Sequence, residues 1–285
     1  MNNLKLGLSG CKLEILPNNI IRKYSKDLDY NPRLLSQAHK QANFLSTFNG
    51  KLISPKVFTL NQDNLFYFDM EYCTGKNYDK FFNECSLHDS KYVLNILFEY
   101  LDYLIEKSEI LDDVIVKEKI INKLDSLVSK SRYKNIIELI IKQYDDLKIE
   151  NVRNSFCHGD LTFANILFGK NKIYFIDFLD SFIDSYYIDF AKLKQDLYYH
   201  WVLKVNKDDS LRVMQIFSFY WYNICEKYHE IISSEALELF DFINLLRIEP
   251  YVSDDNLQTL MSCIENHKYY VNFNNSNGRS VIQIS

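Results

Sequence analysis

Glycine is scarce in this chain, with 7 in 285 residues, and proline occurs only 4 times. That scarcity excludes a glycine-rich linker, a collagen-like repeat and a low-complexity tail. It also makes the backbone positions that need a missing side chain few enough to name: Gly7, Gly10, Gly50, Gly75, Gly159, Gly169 and Gly278. A basic surplus is missing too. Lys and Arg number 33 against 38 Asp and Glu, and the net charge of -5 argues against nucleic acid as the partner, because phosphate backbones select basic faces. No run approaches the roughly 18 to 20 apolar residues of a membrane span, so no membrane insertion is expected. Met1 to Lys5 has no signal-peptide pattern, and a cytoplasmic protein is expected. The six cysteines include no C-x-x-C pair, and in a chain of this size without an export signal they read as reduced core thiols.

What the chain does have is a hydrophobic content of 47%, enough for one large domain or two modest lobes. Cys11 to Leu16 alternates like a strand, Pro17-Asn18-Asn19 is turn chemistry, and Ile20 to Ser25 completes a hairpin. Pro32 through Phe48 carries Leu34, Leu35, Ala38, Ala42 and Leu45 at helical spacing. Val57 to Leu60 and Leu65 to Tyr72 read as two further strands. After Gly75 the helical period dominates, over Ser90 to Lys107, Lys117 to Val128 and Tyr133 to Leu147. A compact β-like region from Phe156 to Phe178 interrupts it. Helices then return over Asp189 to Trp201, Asp208 to Ile232, Ser234 to Ile248 and Asp254 to Val271. The expected organisation is α+β: a small antiparallel-sheet lobe with one helix over residues 1–72, a hinge near Glu71 to Gly75, and a larger mainly helical lobe over 73–285 with one hairpin embedded in it.

Chemistry concentrates in that hairpin. His158-Gly159-Asp160-Leu161-Thr162-Phe163-Ala164-Asn165 is followed by Tyr174-Phe175-Ile176-Asp177-Phe178. The spacing suits phosphoryl transfer, in which one carboxylate handles a hydroxyl proton while an amide oxygen and a second carboxylate hold Mg²⁺ on the nucleotide phosphates. The form H-x-D-L-x-x-x-N with a later strand-end Asp resembles the catalytic core of the aminoglycoside phosphotransferase and choline/ethanolamine kinase superfamily, which shares the protein-kinase fold.

The resemblance implies ATP and Mg²⁺ as cofactors, with GTP not excluded. It makes Asp160 the catalytic base, His158 an orienting residue of the loop, and Asn165 and Asp177 Mg²⁺ ligands, with Asp180 assisting metal or substrate. Gly7-Leu8-Ser9-Gly10 is similar to the loop over the phosphates, where backbone N–H groups face the anion. The phosphate-pairing cation is Arg22 or Lys23, since strand alternation lets only one point inward; relatives favour Arg22, and Lys23 stays open. Gln41 stands where the family usually has the Glu that orients this cation, and Gln cannot form an ion pair. Met70, Glu71 and Tyr72 resemble the hinge that reads the base edge. Asp184 and Asp189 continue the acidic pattern, as loop stabiliser and helix cap.

Gly159 replaces the Arg of protein kinases, and the interval from Asp177 to Asp189 is too short for an activation segment. A small hydroxyl compound is therefore the expected acceptor: a sugar, an amino alcohol or a surface-polysaccharide precursor, with an aminoglycoside as the alternative. Aromatic candidates for its pocket are Tyr198, Tyr199, Trp201, Tyr220, Trp221 and Tyr222. A nucleotide-binding pseudokinase scaffold is the reading from another class, drawn from Gln41.

Overall fold

The computed structural model describes residues 10–47, 51–61, 64–170 and 172–279. Strands β1 (Lys12–Leu16) and β2 (Ile20–Tyr24) form an antiparallel hairpin that pairs Lys12 with Tyr24 and Leu16 with Ile20. Its turn depends on Asn18 and Asn19, both left-handed with φ of 63° and 57°, a region Asn tolerates better than most residues. Helix α1 (Asn31–Thr47) follows, then β3 (Leu52–Ile53), β4 (Val57–Asn61) and β5 (Tyr67–Glu71). The four-stranded sheet has the order β1-β2-β5-β4 and is antiparallel throughout. Leu34 and Ala38, one turn apart on α1, pack with Tyr30, Phe66, Phe68 and Cys11 as the core beneath this sheet. Burying each of the large side chains contributes about 1.5–3 kcal/mol.

Next come α2 (Tyr78–Glu84) and α3 (Leu87–Glu106), then β6 (Glu109–Ile110), α4 (Asp113–Val128), α5 (Lys134–Lys142) and β7 (Arg153–Asn154), which pairs with β6. Strands β8 (Ile166–Phe168) and β9 (Ile173–Phe175) form the embedded hairpin, and β3 joins β9 in parallel. The helices α6 (Tyr186–Leu197), α7 (Trp201–Asn206), α8 (Leu211–Lys227), α9 (His229–Ile232), α10 (Glu235–Ile248), α11 (Asp254–Glu265) and α12 (Lys268–Arg279) complete the chain. The elements form the expected α+β class, a small antiparallel sheet with one helix followed by a mainly helical region that carries an embedded hairpin.

Several expected helices divide. Asp189 to Trp201 is two helices, because His200 adopts φ 54° and a left-handed residue cannot continue a right-handed helix. The helix expected over Tyr133 to Leu147 ends at Lys142 and continues as a short 3₁₀ turn over Tyr144–Leu147. The turn of helix at Tyr78–Glu84 was not expected; Asn77 caps it by accepting from the Lys80 N–H.

Contacts divide the chain into two compact units, Met1–Ile96 with His158–Asp180, and Leu97–Cys157 with Ser181–Ser285. The first unit thus holds the sheet, α1, α2 and the embedded hairpin. In the second, α6 packs on α10, and every residue of α6 is buried. Its polar side chains are partnered internally: Asp189 accepts from the Tyr100 hydroxyl at 2.6 Å, and the Lys194 ammonium lies 2.8 Å from Asp241. Ser185, not Asp189, caps α6. Four cysteines are buried, and Cys225 and Cys263 are half-buried. Among the described residues no helix is long and apolar enough to cross a membrane.

Candidate active site

The loop before β8 is built around His158, which is fully buried. Its Nδ1 accepts the Asp160 N–H at 3.2 Å, so the ring proton sits on Nε2 and is donated to the Ile176 carbonyl at 2.9 Å. Burial pushes the imidazole down to about 4, more than its neighbours Asp160 and Asp177 raise it. His158 is thus a neutral strut, its ring tilted at 36° to that of Phe178 with centroids 4.3 Å apart. Gly159 adopts φ 86°, a backbone shape that a side chain would strain, and the chain reverses there to present Asp160.

Asn165 donates its amide to Asp160 twice, to the backbone carbonyl and to the carboxylate, each at 2.9 Å. Both acceptors lack a proton, which fixes the amide orientation and leaves Asn165 Oδ1 as the free-facing end of the group. Asp177 closes the arrangement in the left-handed region, with φ 60°. Such a conformation persists only when its surroundings over-determine it. Here Ile176 N–H donates to the Asn165 carbonyl at 3.0 Å and Leu179 N–H to the His158 carbonyl at 3.0 Å, pinning the residue from both sides.

The Asp177 carboxylate receives the Lys23 ammonium at 2.5 Å. Arg22 points to the opposite face of the sheet. It forms a bidentate pair with Asp69 at 2.7 and 2.9 Å, and its guanidinium lies 4.0 Å over the Tyr67 ring. The side chain facing the site is therefore Lys23, and the preference for Arg22 drawn from relatives passes to its neighbour. Gln41 is buried and donates to the Pro55 carbonyl at 2.8 Å. Asp180 pairs with Arg33 at 2.7 Å.

These groups surround a cavity of about 230 Å³ lined on one side by Leu13, Ile21 and Lys23 of β1 and β2, and on the other by Asn165, Leu167, Ile176 and Asp177. Gln41, Met70, Glu71, Tyr72 and Cys73 also line it. Burial and then the Glu71 charge push the Cys73 thiol up to about 12, so it stays protonated at neutral pH and serves as apolar wall. The hinge is stitched to the hairpin by two backbone hydrogen bonds at 2.9 Å between Lys76 and Phe168. Gly75 permits this: a Cβ there would lie 3.1 Å from the Leu167 Cβ and the Phe168 backbone.

Of the expected site residues, the structure brings Lys23, Gln41, Met70, Glu71, Tyr72, Asn165 and Asp177 onto one cavity, with Asp160 bonded to Asn165. It does not bring Arg22 or Asp180 there. Gly10 lies in an exposed bend with φ 76°, and Gly7 and Ser9 fall outside the described residues. The apolar walls Leu13, Ile21, Leu167 and Ile176 were visible in the sequence only as parts of strand-like segments. Of the aromatic acceptor candidates in the helical unit, Tyr220 and Trp201 are buried as packing, and the Tyr199 hydroxyl is bonded to Asp241 at 2.8 Å. Tyr198 and Tyr222 are exposed.

The model of the phosphotransferase enzyme family, APH, matches residues 117–214, a span that contains the whole loop and hairpin. The fold is kinase-like. Among solved structures it is similar to the aminoglycoside phosphotransferase APH(4)-Ia, at 13% identity and TM-score 0.56 over 89% of this chain and 87% of that one. A choline/ethanolamine kinase family protein from Mesorhizobium loti aligns at 10% identity and TM-score 0.55, covering 95% of this chain and 90% of its own. A glucosamine kinase in complex with glucosamine, ADP and inorganic phosphate aligns at 10% identity and TM-score 0.54, covering 96% and 80%. At these identities the likeness is one of fold. No curated protein matches the chain.

The donors on this cavity fit a magnesium ion. Asn165 Oδ1 and the Asp177 carboxylate are hard oxygen ligands on one cavity, and Mg²⁺ in such sites takes one or two carboxylates and completes its shell with phosphates and water. Among the described residues no group of three His, Cys, Asp or Glu side chains converges as a metal cage.

Proposed function

We propose that this enzyme transfers the γ-phosphoryl group of a nucleoside triphosphate to a hydroxyl of a small molecule. The observation that carries the reading is the convergence of Lys23, Asn165 and Asp177 on one cavity, with the Asp160 carboxylate held by the same Asn165. The base lies between the apolar walls Leu13, Ile21 and Leu167, with the hinge backbone at Glu71 to Cys73 along its edge. Lys23 pairs with the phosphates, drawn from Asp177 as the anion arrives. Asn165 Oδ1 and Asp177 would hold Mg²⁺, which would supply positive charge against the charge developing on the transferred group. Asp160 accepts the acceptor's hydroxyl proton as the new O–P bond forms and the bond from the γ-phosphorus to the bridging oxygen breaks, releasing the diphosphate. Residues 1–72 then serve the nucleotide, and residues 73–285 supply the catalytic loop and the acceptor side. The reaction requires a compartment that supplies nucleoside triphosphate and Mg²⁺, in line with the cytoplasmic expectation.

The acceptor class we favour is a hydroxyl compound carrying an amine, an amino sugar or amino alcohol. Three similar folds, named for aminoglycosides, glucosamine and choline or ethanolamine, support that choice. The pseudokinase reading draws on Gln41 alone, and it weakens because Lys23 has a carboxylate partner in Asp177. The test is ADP release with Mg²⁺ across a panel of amino sugars, amino alcohols, neutral sugars and aminoglycosides. Turnover is expected on at least one amine-bearing hydroxyl compound, and Asp160→Ala should lower it by about 100-fold or more while nucleotide still binds. Unchanged turnover in Asp160→Ala, or nucleotide binding without turnover on any acceptor, would sink the reading.

A further inference from the structure

Resting on that reading of the site, we propose that Arg33 and Lys40 of α1 are positioning residues for Asp177, a task this chain performs without an ion pair from Gln41. The two side chains are seven residues apart, two helical turns, and so share one face of α1. Lys40 Nζ donates to the Leu179 carbonyl at 2.9 Å, and Arg33 Nε donates to Asp180 Oδ1 at 2.7 Å. Both grip the segment just after the left-handed Asp177. Upstream, that residue is held by the Asn165 and His158 bonds to Ile176; downstream it has the Leu179–His158 backbone bond and these two cations. Gln41 is turned toward Pro55 and Met70. Helix α1 thus fixes the carboxylate end of the Lys23–Asp177 pair, where the usual arrangement fixes the cation end.

The electrostatics give this proposal a sign of its own. Lys40 and Arg33 are positive charges close to a proposed cation ligand, so by Coulomb's law alone their removal strengthens Mg²⁺ binding. If they position Asp177, removal weakens it. A merely structural role lowers thermal stability and moves neither.

The experiment titrates Mg²⁺ into the full chain with a fluorescent ADP analogue and reads the Mg²⁺ concentration for half-maximal binding, alongside metal-free affinity and melting temperature. Lys40→Met is expected to raise that concentration about tenfold, which corresponds to about 1.4 kcal/mol, with metal-free ADP affinity unchanged. Lys40→Arg, which keeps a donor, should restore it to within about twofold, since one charge-assisted bond sets the scale. Arg33→Gln breaks an exposed pair and serves where Lys40→Met does not fold; it should shift the value in the same direction by a smaller factor. An unchanged or lowered Mg²⁺ requirement in both variants overturns the positioning role while leaving the proposed function intact. Absence of Mg²⁺-dependent nucleotide binding in the unmodified chain overturns the proposed function, and this inference with it.

Discussion

Acidification should loosen the first unit through His158, over and above the loss it suffers through its carboxylates. The imidazole accepts the Asp160 N–H at Nδ1 and donates from Nε2 to Ile176. A second ring proton would face an N–H donor inside a fully buried site. The folded-state value is pushed from the ordinary 6.5 down to about 4, chiefly by desolvation. Below pH 6.5 the unfolded chain takes up a proton that the folded chain refuses, so stability is complete above that pH and is lost as pH falls toward 4. At pH 5 the two protonation equilibria differ by a factor of about 30, or about 2 kcal/mol of folding free energy. The informative variant is His158→Gln, whose amide offers one acceptor and one donor but does not titrate. Thermal or urea unfolding at pH 7 and pH 5 would show both chains losing stability through shared carboxylates, with the unmodified chain losing about 2 kcal/mol more. Parallel loss in the two chains, or an NMR titration of His158 with a midpoint near 6.5, would refute the reasoning.

The two adjacent cations of β2 should part company when each is replaced. Lys23→Met is expected to lower turnover by about 100-fold with the fold retained, as removal of a charge-stabilising donor does elsewhere. Arg22→Met should leave nucleotide affinity nearly unchanged while stranding Asp69, which is 8% exposed, and lowering stability by about 1–3 kcal/mol. Nucleotide titration and urea unfolding of both variants measure the split; the reverse pattern would return the phosphate role to Arg22. In the helical unit, burial pushes Asp241 up but Lys194 and His267 outweigh it, so the carboxyl stays below its usual range. Lys194→Met should therefore destabilise by about 3 kcal/mol, measured by urea unfolding, and Lys194→Met combined with Asp241→Asn should recover a large part of that loss.

The candidate site loop was legible because its residues are contiguous: His158, Asp160, Asn165 and Asp177 lie within twenty residues and need only a hairpin to converge. The fold class was legible for a related reason, since the change from period two to helical period after Gly75 is a local property. Helix ends were less so. His200 carries a left-handed break that histidine does not advertise, and α6 is buried on every side although it carries Asp189, Lys192, Lys194 and Asp196. Its charged residues find partners such as Tyr100, Glu238 and Asp241 from distant parts of the chain, and no local pattern announces them.

The choice between Arg22 and Lys23 shows where such reading stops. Ile20 and Ile21 are both apolar, so the alternation of β2 does not reveal its own inward face. The face is declared by the neighbouring strand, where Phe68 and Met70 alternate with Tyr67, Asp69 and Glu71. Transferring that parity needs the register, and the structure sets Lys23 opposite Phe68 and Arg22 opposite Asp69. A slip of one residue would exchange them and place the guanidinium in the cavity. Register is held by contacts outside both strands: Ser25 N–H on the Phe66 carbonyl at one end, and Tyr72 N–H on the Asn19 carbonyl at the other, each 2.8 Å. The left-handed Asn19 that shapes the β1–β2 turn therefore also helps decide which cation meets Asp177.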